Sequence, residues 1–357
     1  MKVGKLPESH LRRSVLRKLN KPGHWTLIGP GIGMDSARVD TCNLVTAQSV
    51  VDFPVQKPAA LAVIKAVNNL LAGAGRLIGV TLTILVPGNA NETLVRTLVE
   101  QAQSELLHYE NKACDAVCRS AEILGGDIRI SPGVNCPVIM VTAYGEPLHA
   151  EGQLALVDIE PGMDIVMTKW IAMEATYLLA ENCYDTLHQR LPDSYIRAGL
   201  EFGEHLSIAP EIRVMNDLGI YARHDGSYGG IFGCLWELLE PSGLGCQVEL
   251  PKIPVKQESI EYAEQFHENP YMMSAGGSVL AVSADGRALV HALREQNIYA
   301  RVIGHTTADK ARAIQIPLPS EDHDEAHIDT RRRHESETRY LVPVQSDALF
   351  EILHRST

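Results

Sequence analysis

Three glycine-rich segments carry the residues best suited to bind a phosphate group. They are GPGIGMDSA at 29–37, GGD at 125–127 and HDGSYGG at 224–230. Glycine lets backbone N–H groups approach an anion, and a nearby aspartate can hold a divalent cation against that anion. The third segment opens a predicted helix, whose N-terminal amides and dipole favour phosphate. Each segment is equally compatible with a turn that caps a helix, so both interpretations stay open.

A histidine and an aspartate stand side by side at the start of the third segment. The carboxylate of Asp225 would raise the pKa of His224 and suit its imidazole to acid–base catalysis. The alternative is a structural turn that Asp225 stabilises. His224 and Asp225 are therefore the candidate catalytic pair.

Alternating helices and strands must position these residues. After Pro58, apolar residues recur every three or four positions, which predicts a packed helix that ends at the glycines of 73–75. Helices are predicted at 10–20, 58–72, 91–120, 171–182, 195–205, 230–240, 256–267 and 286–297, and strands at 25–28, 77–86, 137–144, 246–250, 277–283 and 299–305. This interleaving indicates an α/β (α+β) fold. We expect domains at 1–150 and 160–320, then a charged loop and a C-terminal helix within 321–357 that docks back.

The charge, the cysteines and the hydropathy of the chain exclude several classes of protein. The net charge of −12 argues against a nucleic-acid-binding protein, which needs a basic surface. The seven cysteines are odd in number and contain no CxxC pair, so buried free thiols are favoured over a disulfide framework or a zinc site. No segment has the length and hydropathy of a signal peptide or a membrane span. The expectation is a cytoplasmic protein that binds neither nucleic acid nor membrane.

Seven segments of the chain resemble one enzyme superfamily, and they occur in the same order as in its members. They are MKVGKLP, GPGIGMDSA, the helix around 67–70, SPGVNCPVIMVTAYGE, DIVMTKWIAMEAT, ARHDGSYGG and ENPYMMSAGGSVL. The superfamily contains aminoimidazole ribonucleotide (AIR) synthetase, the hydrogenase-maturation carbamoyl dehydratase, thiamine-monophosphate kinase and selenophosphate synthetase. The chain is most similar to the synthetase-related, hydrogenase-maturation-like branch.

The resemblance implies a two-domain fold whose N-terminal domains join their sheets into a β-barrel in a homodimer. It also implies ATP binding in a shared cleft, with Mg²⁺ held by acidic residues. Carried over, the ATP-binding residues would be Gly31, Gly33, Asp35, Asn68, Asn69, Gly125, Gly126, Asp127, Lys169, Ser227, Gly229 and Gly230. Asp35 would be the metal ligand, and Lys5 would join the catalytic pair by reaching a phosphate. For Lys5 a solvated surface position stays open, as does a plain ion pair for Lys169.

Several acidic residues of the superfamily pattern are replaced in this chain. Met34 precedes Asp35 in the first glycine segment, and Asn69 stands where the helix signature has aspartate. Gln48 and Tyr228 likewise occupy positions that are acidic in relatives. Because Mg²⁺ prefers anionic oxygen ligands, these changes predict weak metal binding. Two functions follow: an ATP- or phosphate-dependent enzyme that activates a small amide- or carboxylate-bearing substrate at a remodelled metal site, or a catalytically degenerate scaffold subunit that works beside an active paralogue.

Overall fold

The computed structural model describes residues 8–17, 26–28, 31–34, 36–39, 44–112, 117–148, 156, 158–317 and 336–355. The helices are α1 Glu8–His10, α2 Pro58–Ala72, α3 Glu92–Lys112, α4 Met173–Asn182, α5 Tyr184–His188, α6 Asp193–Glu201, α7 Ala209–Asp217, α8 Gly230–Leu239, α9 Gln257–Gln265, α10 Gly286–Glu295 and α11 Ala348–Arg355. The strands are β1 Thr26–Ile28, β2 Ala37–Val39, β3 Leu44–Val51, β4 Gly75–Pro87, β5 Cys118–Ser131, β6 Val138–Pro147, β7 Asp164–Thr168, β8 Arg223–Asp225, β9 Gly245–Glu249, β10 Val279–Ser283, β11 Ala300–Thr307, β12 Arg312–Pro317 and β13 Ser336–Tyr340. The predicted α/β (α+β) class is confirmed.

The first half of the chain forms a six-stranded sheet in the order β1-β2-β3-β6-β4-β5. Helices α2 and α3 cover one face of this sheet, because both contact its strands and each other. Along β3 and β6, alternate residues are buried beneath the helices, as the two-residue repeat of a strand requires. Helix α2 is nearly all apolar on this face, and its bounds agree with the prediction from apolar spacing.

The second half forms a seven-stranded sheet in the order β13-β12-β9-β11-β7-β10-β8. The edge strand β8 lies against α2 of the first half. The main hydrophobic core joins α2, β4 and β6 to α4, α7 and α11, so the two halves share buried surface. A second core lies on the other face of the seven-stranded sheet, around α8.

Three local predictions were wrong. Helix α3 ends at Lys112 and Cys118 already begins β5, whereas the sequence pattern extended the helix to 120. The charged segment predicted as a loop contains the strand β13, which pairs with β12. Gly125 and Gly126 lie inside β5 and not in a turn. There, a Cβ on Gly126 would lie 2.0 Å from the carbonyl oxygen of Leu82, so close strand approach explains this glycine.

Candidate functional site

The two halves meet where α2 crosses β8, and this junction holds Asn69 and Asp225. With its amide nitrogen turned toward the carboxylate, Asn69 donates to Asp225 Oδ2 at 3.1 Å and to the carbonyl of Lys65 at 3.2 Å. Asp225 is buried, and a small cavity beside it is also lined by Lys65, Asn68 and Ser227. The structure therefore brings together four of the predicted site residues.

A buried ion pair lies in the same cavity. Lys65 Nζ contacts both carboxylate oxygens of Glu174, at 2.7 and 2.9 Å. Glu174 is fully buried and also accepts a hydrogen bond from the hydroxyl of Ser274. Sequence reasoning missed this pair, although Lys65 lies one helical turn before Asn69 and could have been found by that spacing.

The backbone amides of the third glycine segment donate to groups of this chain. Gly226 N–H donates to the carbonyl of Ser278 at 2.7 Å, and Gly230 N–H to that of Ser227 at 3.1 Å. Gly229 N–H donates to the carboxylate of Asp347 at 2.9 Å. This carboxylate thus occupies the helix N-terminus at which a phosphate was expected.

Asp347 belongs to the C-terminal segment, which packs over the glycine segment. Its carboxylate also accepts from Leu349 N–H at 3.1 Å and so caps α11. The ring of Phe350 stacks on Tyr228 with centroids 5.5 Å apart. Burial raises the pKa of Asp347 to about 7, although both amide donors oppose this rise. The predicted docking of the terminal helix is confirmed, but no local sequence signal placed Asp347 on Gly229, 118 residues away.

His224 and Asp225 do not form a close side-chain pair. In the sheet, His224 pairs with Leu280 of the second core, and Asp225 pairs with Val279 of the main core. The two side chains therefore face opposite sides of the sheet, as successive strand residues do. His224 Nδ1 lies 2.8 Å from the backbone carbonyl of Asp225 but 4.0 Å from its carboxylate. The other ring nitrogen lies 3.5 Å from Glu237 Oε2.

Asn68 connects the two halves, and Lys169 connects segments within the second half. Asn68 donates to the carbonyl of Leu206 at 2.8 Å and accepts from Ile208 N–H at 3.2 Å. Lys169 is buried and contacts Glu211 Oε1 at 2.9 Å. Its ammonium also donates to three backbone carbonyls, those of His205, Ser207 and Gly277. For Lys169, this geometry matches the ion-pair interpretation.

The remaining predicted residues that the structure describes lie away from this junction. Gly33 has a φ of +72° and packs on the carbonyl of Glu237, close to the C-terminal end of α8. Gly31 lies two residues before Gly33 in the same loop. Asp127 follows Gly125 and Gly126 in the edge strand β5, where it pairs with Arg129. Lys5 and Asp35 lie outside the described residues.

The described side chains do not match the donor set of a metal site. Within the described ranges, no three His, Cys, Asp or Glu side chains are grouped so as to hold a metal ion. At the junction, Asn69 supplies a neutral amide, and Asp225 is the carboxylate that it contacts. The described residues of the junction therefore do not by themselves form a Mg²⁺ site.

A cleft of about 1020 Å³ adjoins this junction. Leu61, Ile64 and Leu206 line both the cleft and the small cavity beside Asp225. The cleft runs between α2 and α3 on one side and α4 and α7 on the other. Its volume suits a small-molecule substrate.

Comparison with known proteins agrees with this architecture. Residues 198–316 match the family model described as AIR synthase related protein, C-terminal domain. The carbamoyl dehydratase HypE of Rhodobacter capsulatus is 22% identical over 280 residues, which are 76% of this chain and 77% of that protein. These findings confirm the resemblance that the sequence motifs indicated.

Solved structures show that the fold is similar to theirs over most of the chain. The hydrogenase maturation protein HypE in complex with ATP gives a TM-score of 0.63 at 16% identity, covering 91% of this chain and 92% of its own. AaThiL complexed with AMPPCP and TMP gives 0.64 at 17% identity, covering 88% and 95%. At these identities the likeness establishes the fold. Among the described helices, none combines the length and the hydropathy needed to cross a bilayer.

Proposed function

We propose that this chain is an ATP-dependent enzyme that activates a small amide- or carboxylate-bearing substrate. The supporting observation is the junction of α2 and β8, where Asn69 and Asp225 meet beside a large cleft, within a fold shared with an ATP-bound relative. Transfer of the terminal phosphoryl group of ATP to an amide or carboxylate oxygen would give ADP and an activated substrate. Such chemistry depends mainly on positioning and on charge neutralisation.

The residues of the junction suggest how the phosphates would bind. Lys65 and the hydroxyl of Ser227 line the small cavity, and Lys65 is the ammonium group closest to Asp225 along α2. Because Glu174 already neutralises Lys65, the pocket offers little net positive charge to a triphosphate. Asp35 remains the proposed ligand for Mg²⁺. We expect the metal to contribute less than in relatives with more carboxylates.

A second function, a scaffold subunit without catalysis, is favoured by a separate observation. The amides of Gly226, Gly229 and Gly230 all donate within the chain, and Asp347 supplies the anion at Gly229. Because these amides already donate within the chain, the loop has fewer N–H groups left to bind the phosphates of a nucleotide. In this alternative the chain would act beside an active paralogue.

Calorimetric titration of ATP, with Mg²⁺ and with a chelator, separates these functions. For the enzyme we expect saturable binding that changes less than about tenfold on chelation, since only one junction carboxylate is available to a metal. Binding that disappears with chelation would contradict the remodelled metal site. Complete absence of binding would favour the scaffold.

We also propose a homodimer through the six-stranded sheet. Four large apolar side chains on its strands are 45% exposed or more: Val50, Leu124, Ile128 and Ile130. Exposed apolar residues concentrated on one sheet are typical of a protein interface. A second copy on this sheet would also cover the open edge of β5.

Sedimentation at micromolar concentration is expected to give twice the chain mass of 39.1 kDa. Ile130→Lys should shift the protein toward the monomer, because the new charge would be buried at the interface. Tyr340→Lys is the matched control, since Tyr340 is 66% exposed but lies on the other sheet. A wild-type protein that sediments as a monomer would refute the proposal.

A further inference from the structure

The cleft between the two halves has two carboxylates at one end. Glu105 and Glu181 line it together with Tyr109 and Tyr177. The hydroxyl of Tyr177 donates to Glu181 Oε1 at 2.7 Å. Burial raises the pKa of Glu181, even though the charge of Lys57 opposes that rise. Burial is the main cause of the raised pKa of both Tyr109 and Tyr177, and the charge of Glu105 adds to it.

The cations of the cleft do not neutralise this end fully. Lys57 and Arg213 are exposed to solvent, where water screens their charge. Lys169 is held by Glu211 and three carbonyls. Burial is the main cause that lowers the pKa of His205, which favours the neutral imidazole. These cations therefore do not fully offset the carboxylates of Glu105 and Glu181 at this end of the cleft.

Aromatic rings form the opposite wall. Trp170 and Tyr299 stack with centroids 6.4 Å apart and planes 23° apart, and His205 meets Trp170 edge-on at 5.9 Å. The ammonium of Lys256 lies 4.4 Å from the centre of the Trp170 ring, so this wall already binds a cation within the chain. Between the two ends the lining is aliphatic, with Leu61, Leu178 and Leu206.

We propose that the cleft binds a substrate that carries a protonated amine on an aromatic or apolar body. The amine would lie against Glu181 and Glu105, and the body would lie along the leucines toward Trp170. This substrate class rests on the proposed function, because it places the reacting amide or carboxylate of the same molecule toward Asp225. An anionic group at the Glu181 end would be disfavoured for two reasons: the carboxylates would repel it, and it would lose its hydration.

Three probes with one ring and different charges test the proposal by calorimetry without nucleotide. They are phenethylamine, phenethyl alcohol and 3-phenylpropionate. We expect the amine to bind at least tenfold more tightly than the alcohol, and the carboxylate to show no binding. Glu181→Gln keeps an acceptor for Tyr177, so it should fold normally, and we expect it to weaken amine binding at least fivefold. Glu204→Gln, an exposed glutamate at the rim, should change it less than twofold.

Equal binding of the three probes, or an unchanged affinity in folded Glu181→Gln, would overturn the assignment. The result is separable from the proposed function, since the probes bind without ATP. Selective amine binding by a protein that fails to bind ATP would support the cleft assignment and reject the ATP-dependent enzyme.

Discussion

Replacing Lys169 by Met is expected to lower the free energy of unfolding by about 3–5 kcal/mol. The substitution removes the ammonium that contacts Glu211, whose side chain is fully buried, and leaves this carboxylate without its partner. Three backbone carbonyls lose a donor at the same time. Denaturant unfolding followed by circular dichroism would measure the loss.

Lys252→Met is the matched control for this prediction. Lys252 pairs with Glu249 at 2.6 Å, but its side chain is 40% exposed. Exposed pairs contribute little, so we expect a change below about 1 kcal/mol. Adding Glu211→Leu to Lys169→Met should recover part of the lost stability, because the unpaired buried carboxylate is then removed. Equal small losses for both lysines would show that the buried Lys169–Glu211 pair contributes no more to stability than an exposed pair.

The stability of the wild-type protein should decrease between pH 5 and pH 8 through Asp347. Burial raises the pKa of Asp347 to about 7 in the folded state. In the unfolded chain the carboxyl ionises near its ordinary value, so ionisation costs more in the folded protein. Stability is therefore lost as pH rises through the interval between the two pKa values and stays level above about pH 7. From pH 5 to 8 the loss through this group is about 2–3 kcal/mol.

Asp347→Asn isolates this effect, because it cannot ionise and keeps one acceptor for Gly229 or Leu349. Denaturant unfolding at pH 5 and pH 8 should show a wild-type decrease that exceeds the variant's by about 2–3 kcal/mol. Glu351→Gln, on the same helix but half-buried, should behave as the wild type does. Parallel pH profiles for wild type and Asp347→Asn would refute the assigned pKa rise.

Much of the architecture could be predicted because local patterns matched the final elements. Helix α2 follows Pro58 and ends before Gly73, as apolar spacing and the glycines indicated. Where prediction failed, tertiary contacts overrode the local pattern. Glycines at 125–126 are typical of a turn, yet Gly126 lies in a strand because β4 approaches it too closely for a side chain. The close approach of β4 to Gly126 depends on which strands pair, and this cannot be predicted from one segment of the sequence.

The candidate site was only partly predictable. Asn69 and Asp225 were identified from motifs, and the fold brings them within hydrogen-bond distance. The carboxylate at Gly229 comes from the far end of the chain, and His224 faces the opposite core from Asp225. Both outcomes depend on how β8 is inserted between α2 and the second core. Charge and spacing along the sequence do not contain that information.

The most direct test of the account is ATP titration into the wild type, Asn69→Asp and Asn91→Asp, each with Mg²⁺ and with a chelator. Asn69→Asp places a second carboxylate about 3 Å from Asp225, so metal-free ATP should bind at least tenfold more weakly. Mg²⁺ should restore binding, because a cation would offset the repulsion between the two carboxylates and the phosphates. Asn91→Asp, a surface change that keeps the cap of α3, should match the wild type. Identical ATP binding by all three proteins in both conditions would contradict the placement of the phosphates at this junction.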